Sequence, residues 1–349
     1  MTAAAAGLHA LFALAVFGLA AVLAWGAMRL RIMDVPNTRS SHERPVPKGG
    51  GGAIVLAFFV GLAVFYGLGG EAHIAPGPMA GFCVAALLVA AIGLLDDIRG
   101  YGVRVKLAGQ LAGAAVLLAS GIVLSSISLP FAGRIELGWL GYPLTALWVV
   151  GLANAVNFMD GLNGLAGGVA AIAAGFFAAV TFADGSHFVY VLSYVLAASS
   201  LGFLVFNFPR ARLFMGDVGS QFLGFVLAAL AVVAAELDSA RTSFMVMPLL
   251  VSVILFDTVF TVIRRLAAGE RITEAHRSHL YQFANRLGMS HVGVSLYHYG
   301  FTALAGIGAL VMVGLAPDDK AWTFLPFLAA LAVYAVLVTG AARSRGLTR

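Results

Sequence analysis

Residues 214–236 read FMGDVGSQFLGFVLAALAVVAAE, and they combine two kinds of sequence in one stretch. From Ser220 the run is apolar until Glu236, and a stretch of this kind is long enough to cross most of a bilayer as a helix. The segment directly before it carries one ionisable residue, Asp217, placed between Gly216 and Gly219. The stretch therefore predicts a membrane-spanning helix with an ionisable group at its mouth.

The composition of the whole chain extends this prediction to the rest of the protein. Of the 349 residues, 61% are hydrophobic and only 11% are charged, and the mean hydropathy is +0.95. A soluble domain of this size carries roughly 25% charged residues, so soluble and disordered classes are excluded. The single cysteine, Cys83, excludes a disulfide framework. We expect one integral membrane domain over residues 1–349, in which the 42 glycines allow close helix approach.

The predicted fold class is an all-α polytopic membrane protein with about eleven transmembrane helices and cytoplasmic active-site loops. The alternation of about ten residues that marks a membrane β-barrel does not occur. The first span has no basic segment before it and is long for a signal peptide, so we expect it to be retained, with a cleaved signal as the alternative. The predicted spans are 8–28, 51–69, 78–95, 106–127, 138–156, 166–183, 187–206, 220–236, 244–263, 298–316 and 321–342.

The distribution of Lys and Arg predicts the orientation of these spans. Alternating the loops from 29–50 onward puts eighteen of the 21 basic residues on one side, and leaves Arg134, Arg241 and Lys320 on the other. Cytoplasmic loops are the ones that carry the excess of positive charge. We therefore expect the N-terminus outside and the C-terminus inside.

Two adjacent carboxylates end the third span, in the sequence GLLDDIRG (93–100). Asp96 and Asp97 face the negative end of the helix dipole and repel each other, so both effects oppose ionisation. A nearby cation or a proton-transfer task would explain the pair. The alternative is a solvated helix end paired with Arg99 or Arg104.

The sequence NAVNFMDGLNGLAGG (154–168) connects the fifth span to the sixth. Asn154, Asn157 and Asp160 are three residues apart, so a helical continuation would place them on one face. This loop has no Lys or Arg, which leaves Asp160 without a counter-ion nearby in sequence. We predict a functional role for this face, whereas Asn163 could simply cap the sixth helix.

Asp217 has two interpretations that its local sequence does not separate. It could cap the eighth helix, or it could be a hard oxygen ligand for Mg²⁺ that binds together with substrate phosphates. Phe214 offers an aromatic face for a base, although packing is the commoner use of such a residue.

Two further loops supply cationic donors. His276, Arg277 and His279 form a compact group that could bind phosphate oxygens, with lipid-headgroup charge as the alternative for the arginine. Lys48 precedes Gly49–Gly52 and is a further anion donor. The four glycines indicate either close backbone packing and ligand approach or flexibility alone.

These motifs together resemble the polyprenyl-phosphate N-acetylhexosamine-1-phosphate transferase family. The resemblance runs from about Asp34 to Gln282 and rests on GLLDDIRG, NAVNFMDGLNGLAGG, FMGDVGS, DTVFTVIRR and AHRSHLYQ in that order. It implies transfer of a sugar phosphate from a UDP-N-acetylhexosamine to undecaprenyl phosphate, with release of UMP and with Mg²⁺, or alternatively Mn²⁺, as cofactor. It implies no nucleic-acid partner, and small-residue stripes facing lipid would permit a homodimer.

The resemblance also assigns roles to particular residues. It implies that Asp217 binds the metal, that Asn157 and Asp160 lie near the nucleotide and metal, and that Asp96 or Asp97 acts as base or as nucleophile. It implies that His276, Arg277 and His279 hold the diphosphate or sugar. Lys48 and Lys106 are carried over as phosphate donors, and Asn154 and Phe214 as substrate-binding positions.

AHRSH replaces the histidine run of the peptidoglycan branch, so UDP-MurNAc-pentapeptide is not the expected donor. The loop forms are similar to the O-antigen initiators, and we expect the product to start O-antigen or another surface polysaccharide. A transporter or lipid flippase is the rival class, and a lipid phosphatase with the same ligand chemistry is another. The ionisable groups lie at helix ends rather than at the midplane, which favours the transferase.

Overall fold

Helices form nearly all of the regular structure in the computed structural model, which describes residues 2–30, 32–35, 44–68, 74–129, 133–271, 276–316 and 319–347. Two short antiparallel hairpins, β1–β2 and β3–β4, are the sheet within these ranges. Their strands are β1 (Met33–Asp34), β2 (Val46–Pro47), β3 (Ser126–Leu129) and β4 (Gly133–Glu136). The helices are α1 (Ala3–Ala27), α2 (Gly51–Leu68), α3 (Pro76–Arg99), α4 (Val103–Ala119), α5 (Gly141–Phe158), α6 (Leu165–Ala183), α7 (Phe188–Asn207), α8 (Asp217–Glu236), α9 (Val246–Leu250), α10 (Ser252–Ala267), α11 (Leu280–Arg286), α12 (His291–Val313) and α13 (Phe324–Ser344), with 3₁₀ turns at Gly138–Leu140 and Lys320–Thr323.

Nine helices within the described part of the chain are long and apolar enough to cross a membrane, so the all-α polytopic class is confirmed. Eight of the nine segments are α1, α2, α3, α6, α7, α8, α12 and α5 with its preceding turn. The ninth is α13 together with the turn that precedes it. Many of their large apolar side chains face outward, as on α1 and α13, where Leu8, Leu11 and Val336 are exposed. An outward apolar surface of this kind is stable in lipid.

Two of the eleven predicted spans differ in the structure. The fourth, predicted at 106–127, is a helix of 17 residues that ends at Ala119 and leads into the β3–β4 hairpin. Such a helix is about 25 Å long, which is shorter than the hydrocarbon core of a bilayer. The ninth, predicted as one helix over 244–263, is divided at Val251 into α9 and α10. Hydropathy averages across a break of one residue, so the sequence pattern did not reveal it.

The helix α8 lies at the centre of the bundle and positions the functional end. Every residue from Val218 to Ala234 is buried, and α8 packs on α2, α3, α5 and α6. At Gly93 of α3 an added Cβ would lie 2.7 Å from the carbonyl oxygen of Asp217, so only glycine allows this approach. The C-terminal turn of α3 therefore lies directly against the first turn of α8.

Candidate active site

A cavity of about 350 Å³ opens at the end of the bundle where α3 and α5 end and α8 begins. The predicted positions that line it come from separate loops, so the sequence motifs lie close together in space. These lining residues are Lys48, Asp96, Asp97, Asn157, Asp160, Phe214 and Asp217. The cavity is also lined by residues that the sequence interpretation did not select, namely Asp34, Asn207, Gln282 and His291.

The start of α8 is capped by a carboxylate from another helix. Asp97 accepts hydrogen bonds from the backbone N–H of Asp217 at 3.0 Å and of Val218 at 3.1 Å. Gly216 precedes the helix at φ +75°, a conformation that glycine adopts without strain. The alternative that Asp217 caps its own helix is therefore wrong, because Asp217 is the first helical residue and its side chain is directed elsewhere.

The carboxylate of Asp217 joins α8 to α5 and α4. Its Oδ1 accepts a hydrogen bond from Asn157 Nδ2 at 2.6 Å, and its Oδ2 contacts Lys106 Nζ at 2.7 Å. Asn157 also donates to Ser220 Oγ at 2.8 Å. Lys106 bridges to Asp96 Oδ2 at 3.2 Å. One ammonium group thus holds two carboxylates from different helices at the edge of the cavity.

This arrangement explains how Asp96 and Asp97 can share the C-terminal turn of α3. The expected alternative, pairing with Arg99 or Arg104, is not what the structure contains: the cations beside the pair are Lys106 and Lys48, whose Nζ lies 3.7 Å from Asp97 Oδ1. Arg99 instead donates to the hydroxyl of Tyr101. The positive N-terminal end of α8 stabilises the Asp97 carboxylate, whereas the negative C-terminal end of α3 destabilises it.

Asp160 follows the last turn of α5 and faces the same cavity. Within the described ranges, no hydrogen bond to its carboxylate is formed. Burial, together with the negative charges of Asp217 and Asp97, holds the pKa of the Asp160 carboxyl well above its usual range. The absence of Lys and Arg in its loop, seen in the sequence, is therefore not compensated by a basic residue from elsewhere among the described residues.

The glycine segment before α2 is a tightly packed connection. Gly50 N donates to Phe214 O at 2.9 Å, Gly51 N to Met215 O at 2.8 Å, and Phe214 N to Pro47 O at 2.8 Å. A Cβ on Gly51 would overlap the backbone of Gly219. Close packing, and not flexibility alone, is therefore the reason for Gly50 and Gly51. The same contacts carry Lys48 and Phe214 to the cavity.

The residues present fit a divalent cation. One buried oxygen, Asp96 Oδ1, has no hydrogen-bond partner among the described residues, and the carboxylate of Asp160 also lacks one. Five aspartates line the cavity, whereas Lys48 is the one Lys or Arg among the described lining residues, and Lys106 contacts the cluster from outside the lining. No three His, Cys, Asp or Glu side chains in the described ranges form a protein-only metal cage. That donor set suits Mg²⁺, which is commonly bound by one or two carboxylates plus substrate phosphates.

The histidine loop lies beside the cavity, with residues 272–275 outside the described part. His279 Nδ1 is 3.0 Å from Asp257 Oδ1, and Asp257 also accepts from the backbone N–H of Leu280 and of Tyr281. His276 stacks on His279 with ring centroids 5.0 Å apart, and Arg277 follows between them. None of the three is among the described residues that line the cavity. The three residues instead lie together beside the cavity, where Asp257 holds His279 in place.

Two of the predicted positions occupy a layer behind the cavity wall. Lys106 reaches the cavity through Asp217, whereas Asn154 lies one helical turn deeper than Asn157. Asn154 donates to Gln110 Oε1 at 2.6 Å, and Gln110 donates to Gln221 Oε1 at 3.2 Å. Sequence interpretation missed Gln110 and Gln221, although an amide side chain within an apolar helix was a usable signal. Asn207 was missed too; it accepts from Gly164 N and so fixes the start of α6, while Asn163, expected as the cap, donates to Pro209 O.

Comparison with known proteins agrees with this arrangement. Residues 79–235 match the family described as glycosyl transferase family 4. The chain is 34% identical to a probable undecaprenyl-phosphate N-acetylglucosaminyl 1-phosphate transferase of Bacillus subtilis, over 82% of this chain and 78% of that protein. It is also 34% identical to a decaprenyl-phosphate N-acetylglucosaminephosphotransferase of Mycobacterium tuberculosis, over 86% of this chain and 80% of that protein.

A third similarity covers less of the chain. A phospho-N-acetylmuramoyl-pentapeptide-transferase of Synechococcus is 38% identical over 57% of this chain and 58% of that protein.

Proposed function

Because the chain belongs to the polyprenyl-phosphate N-acetylhexosamine-1-phosphate transferase family, we propose that it transfers N-acetylhexosamine 1-phosphate from a UDP-N-acetylhexosamine to undecaprenyl phosphate. A lipid phosphate oxygen forms a bond to the sugar-side phosphorus. The bond from that phosphorus to the bridging oxygen breaks, and UMP leaves with this oxygen and its charge. The products are UMP and undecaprenyl-diphosphate-N-acetylhexosamine.

The observation that carries this proposal is the excess of carboxylates over cations around Asp217. Both substrates are polyanionic, so they would be repelled from five aspartates unless a cation lay between them. Asp217, with Asn157 orienting it, would hold Mg²⁺, and Mn²⁺ has the same ligand preference. When bound, the ion neutralises the developing charge on the phosphoryl oxygens.

The two aspartates of α3 have different roles in this proposal. Asp97 is occupied by the N–H groups of α8 and by Lys48, so it is a positioning residue that keeps Asp217 in place. Asp96 retains a buried oxygen without a partner among the described residues, so it faces the reacting phosphates as a catalytic residue. Lys48 lines the cavity and is the donor that orients phosphate oxygens, whereas Lys106 lies outside the lining and positions Asp96 and Asp217.

An apolar groove supports a lipid acceptor. It has a volume of about 340 Å³ and lies between α10 and the start of α13, where Phe256, Val259, Phe260, Phe324 and Leu328 line it. Asp257, next to Phe256, holds His279 beside the active site. We propose that the polyprenyl chain lies in this groove with its phosphate at the cavity, and that the cavity faces the cytoplasm.

The transporter and flippase alternative is not supported. The relatives are named as transferases, and the described carboxylates cluster at one end of the bundle. We propose UDP-N-acetylglucosamine as the donor, since two of the relatives are named for N-acetylglucosamine, and initiation of O-antigen or another surface polysaccharide in the inner membrane as the role.

The test is incorporation of radiolabelled UDP-N-acetylglucosamine into butanol-extractable lipid by the purified protein with undecaprenyl phosphate and Mg²⁺. We expect labelled lipid and an equal amount of UMP. A panel of UDP-N-acetylhexosamine donors in the same assay identifies the sugar. Absence of labelled lipid with every donor, or release of inorganic phosphate from undecaprenyl phosphate instead, would refute the transferase proposal.

A further inference from the structure

A second cavity, of about 370 Å³, lies at the end of the bundle opposite to the active site. We call it the basic cavity and define it by Arg134, Arg241 and Lys320, which all line it. These are the three basic residues that the predicted orientation places on the outer side. The few basic residues that the predicted orientation leaves on the outer side therefore lie together around one cavity.

The carboxylates nearby do not neutralise this group. Glu236 lines the cavity, but its oxygens accept hydrogen bonds from the backbone N–H and the hydroxyl of Ser125. Glu136 pairs with Arg134, Nε to Oε1 at 2.8 Å, and both side chains are exposed. Within the described ranges Lys320 forms no ion pair with a carboxylate. Among the described residues that line the cavity, the three cations therefore face a single carboxylate, that of Glu236.

Arg241 is held over the cavity by an unusual backbone. Its φ is +52°, and it is the one non-glycine residue with positive φ among those that the structure describes. A non-glycine residue in this region costs free energy, so the conformation persists only where its surroundings impose it. Its guanidinium donates to the carbonyl oxygen of Glu236 at the C-terminal end of α8, which leaves its remaining N–H groups for a ligand.

Hydroxyl groups complete the lining. Thr242 is 1% exposed and lines the cavity, yet its Oγ1 has no hydrogen-bond partner among the described residues. Ser126 and Ser243 also line it. A buried hydroxyl without a partner is costly, and an oxygen of a bound anion would satisfy it.

The position of the basic cavity in the bundle identifies the kind of anion. Trp139 and Tyr142, just after the β3–β4 hairpin, are exposed, and Trp322 lies in the turn that begins at Lys320. Trp and Tyr are enriched at the level of lipid headgroups. The basic cavity therefore lies at headgroup depth, where phospholipid phosphates are concentrated.

We propose that the basic cavity binds the phosphate of an anionic phospholipid through Arg134, Arg241 and Lys320. A phosphodiester with a neutral headgroup carries one negative charge, which the three basic residues of this lining attract. The cationic headgroup of phosphatidylcholine would instead be repelled by the same three residues. This site is separate from the proposed transferase site and does not depend on it.

Calorimetric titration of the full-length protein in non-ionic detergent tests this site. The probes are dihexanoyl phosphatidylglycerol, dihexanoyl phosphatidylcholine and inorganic phosphate. We expect saturable binding of phosphatidylglycerol, weakened about ten-fold by Arg241→Gln and about ten-fold by Lys320→Gln, since each removes a charge-assisted contact. Phosphatidylcholine should bind at least about ten-fold more weakly than phosphatidylglycerol.

Two variants at the other end of the protein serve as controls. Arg212 matches Arg241, because its guanidinium donates to the carbonyl of Val205 near the end of α7, so Arg212→Gln should leave the affinity unchanged. Lys106→Gln, in the active site, should also leave it unchanged. Wild-type affinity in both Arg241→Gln and Lys320→Gln would overturn the site. Inorganic phosphate that binds as tightly as phosphatidylglycerol would overturn the lipid assignment.

Discussion

The two ends of the helix bundle hold cavities of nearly equal size, about 350 and 370 Å³, with opposite charge. At one end, five aspartates surround a space reached by Lys48 and Lys106. At the other, three basic residues surround a space that Glu236 alone lines with a carboxylate among the described residues. We propose that a phosphate binds directly at the basic end, and that at the acidic end it binds together with a divalent cation.

This difference shows why the acidic end is suited to chemistry. Carboxylates that hold a divalent cation beside two lysines can bring two anionic substrates together and stabilise the charge that moves between them. The basic cavity has one lining carboxylate, Glu236, and its oxygens already accept hydrogen bonds from Ser125, so it lacks the cluster of carboxylates that could hold an exchangeable ion. Each of the variants below changes one contact on which this difference between the two cavities depends.

The largest effect is expected from Asp217→Asn. This change removes the charge that Asn157 and Lys106 position, so UMP release with Mg²⁺ should fall at least about 1,000-fold. The matched control is Asp184→Asn, at the end of α6 on the opposite side of the bundle, which should keep wild-type turnover. Asp217→Asn with near-normal UMP release would show that the cation lies elsewhere.

Lys106→Gln should lower the turnover of UMP release about 100-fold, since Asp96 and Asp217 then face each other without the shared ammonium group. Arg345→Gln is the control, because this exposed residue donates to the carbonyl of Leu287 away from the cavity. Equal turnover in Lys106→Gln and the wild type would mean that Lys106 does not contribute to phosphate transfer.

Replacing Asp96 and Asp97 by Asn, one at a time, should have different effects on turnover and on Tm. Asp96→Asn is expected to lower turnover about 10-fold to 100-fold with an unchanged apparent Tm, because Asp96 lines the cavity and one of its oxygens has no hydrogen-bond partner among the described residues. Asp97→Asn weakens the cap of α8 and should lower the apparent Tm by about 2–4 °C. Thermal unfolding and UMP release are measured on both variants. A lowered Tm in Asp96→Asn together with an unchanged Tm in Asp97→Asn would contradict these two roles.

The smallest effect distinguishes two adjacent glycines at the start of α2. Gly51→Ala places a Cβ against the backbone of Gly219 and 2.9 Å from Met215 O, so it should move the Lys48 segment and lower turnover about ten-fold. Nothing lies within 4 Å of a Cβ on Gly52, so Gly52→Ala should retain turnover and apparent Tm. Equal behaviour of the two variants would favour flexibility as the reason for this glycine run.

Much of the site was predictable because its residues interrupt apolar sequence. Asp96, Asp97, Asn157 and Asp217 each end or begin a predicted span, and a polar group there is conspicuous when only 11% of the chain is charged. The alternation of spans predicted that these positions share one end, and the structure brings them to one cavity. Which side of the membrane this end faces stays a prediction.

The details that the sequence could not provide depend on contacts between distant elements. The cap that Asp97 provides to α8 joins residues 120 positions apart, and no local pattern indicates it. The break at Val251 lies within an apolar run, and hydropathy carries no information on where the backbone leaves the helical conformation. Asn154 shares a helical face with Asn157, but only the packing of α4 and α8 shows that it binds Gln110 one layer below the cavity.

The most direct test of the central claim is Mn²⁺ binding followed by electron paramagnetic resonance, with Mn²⁺ in place of Mg²⁺ and with UDP-N-acetylglucosamine present. We expect one bound ion in the wild-type protein and in Asp184→Asn, and loss of that ion in Asp217→Asn. Mn²⁺ bound to Asp217→Asn with wild-type affinity would contradict the claim that the acidic end is organised around a cation at Asp217.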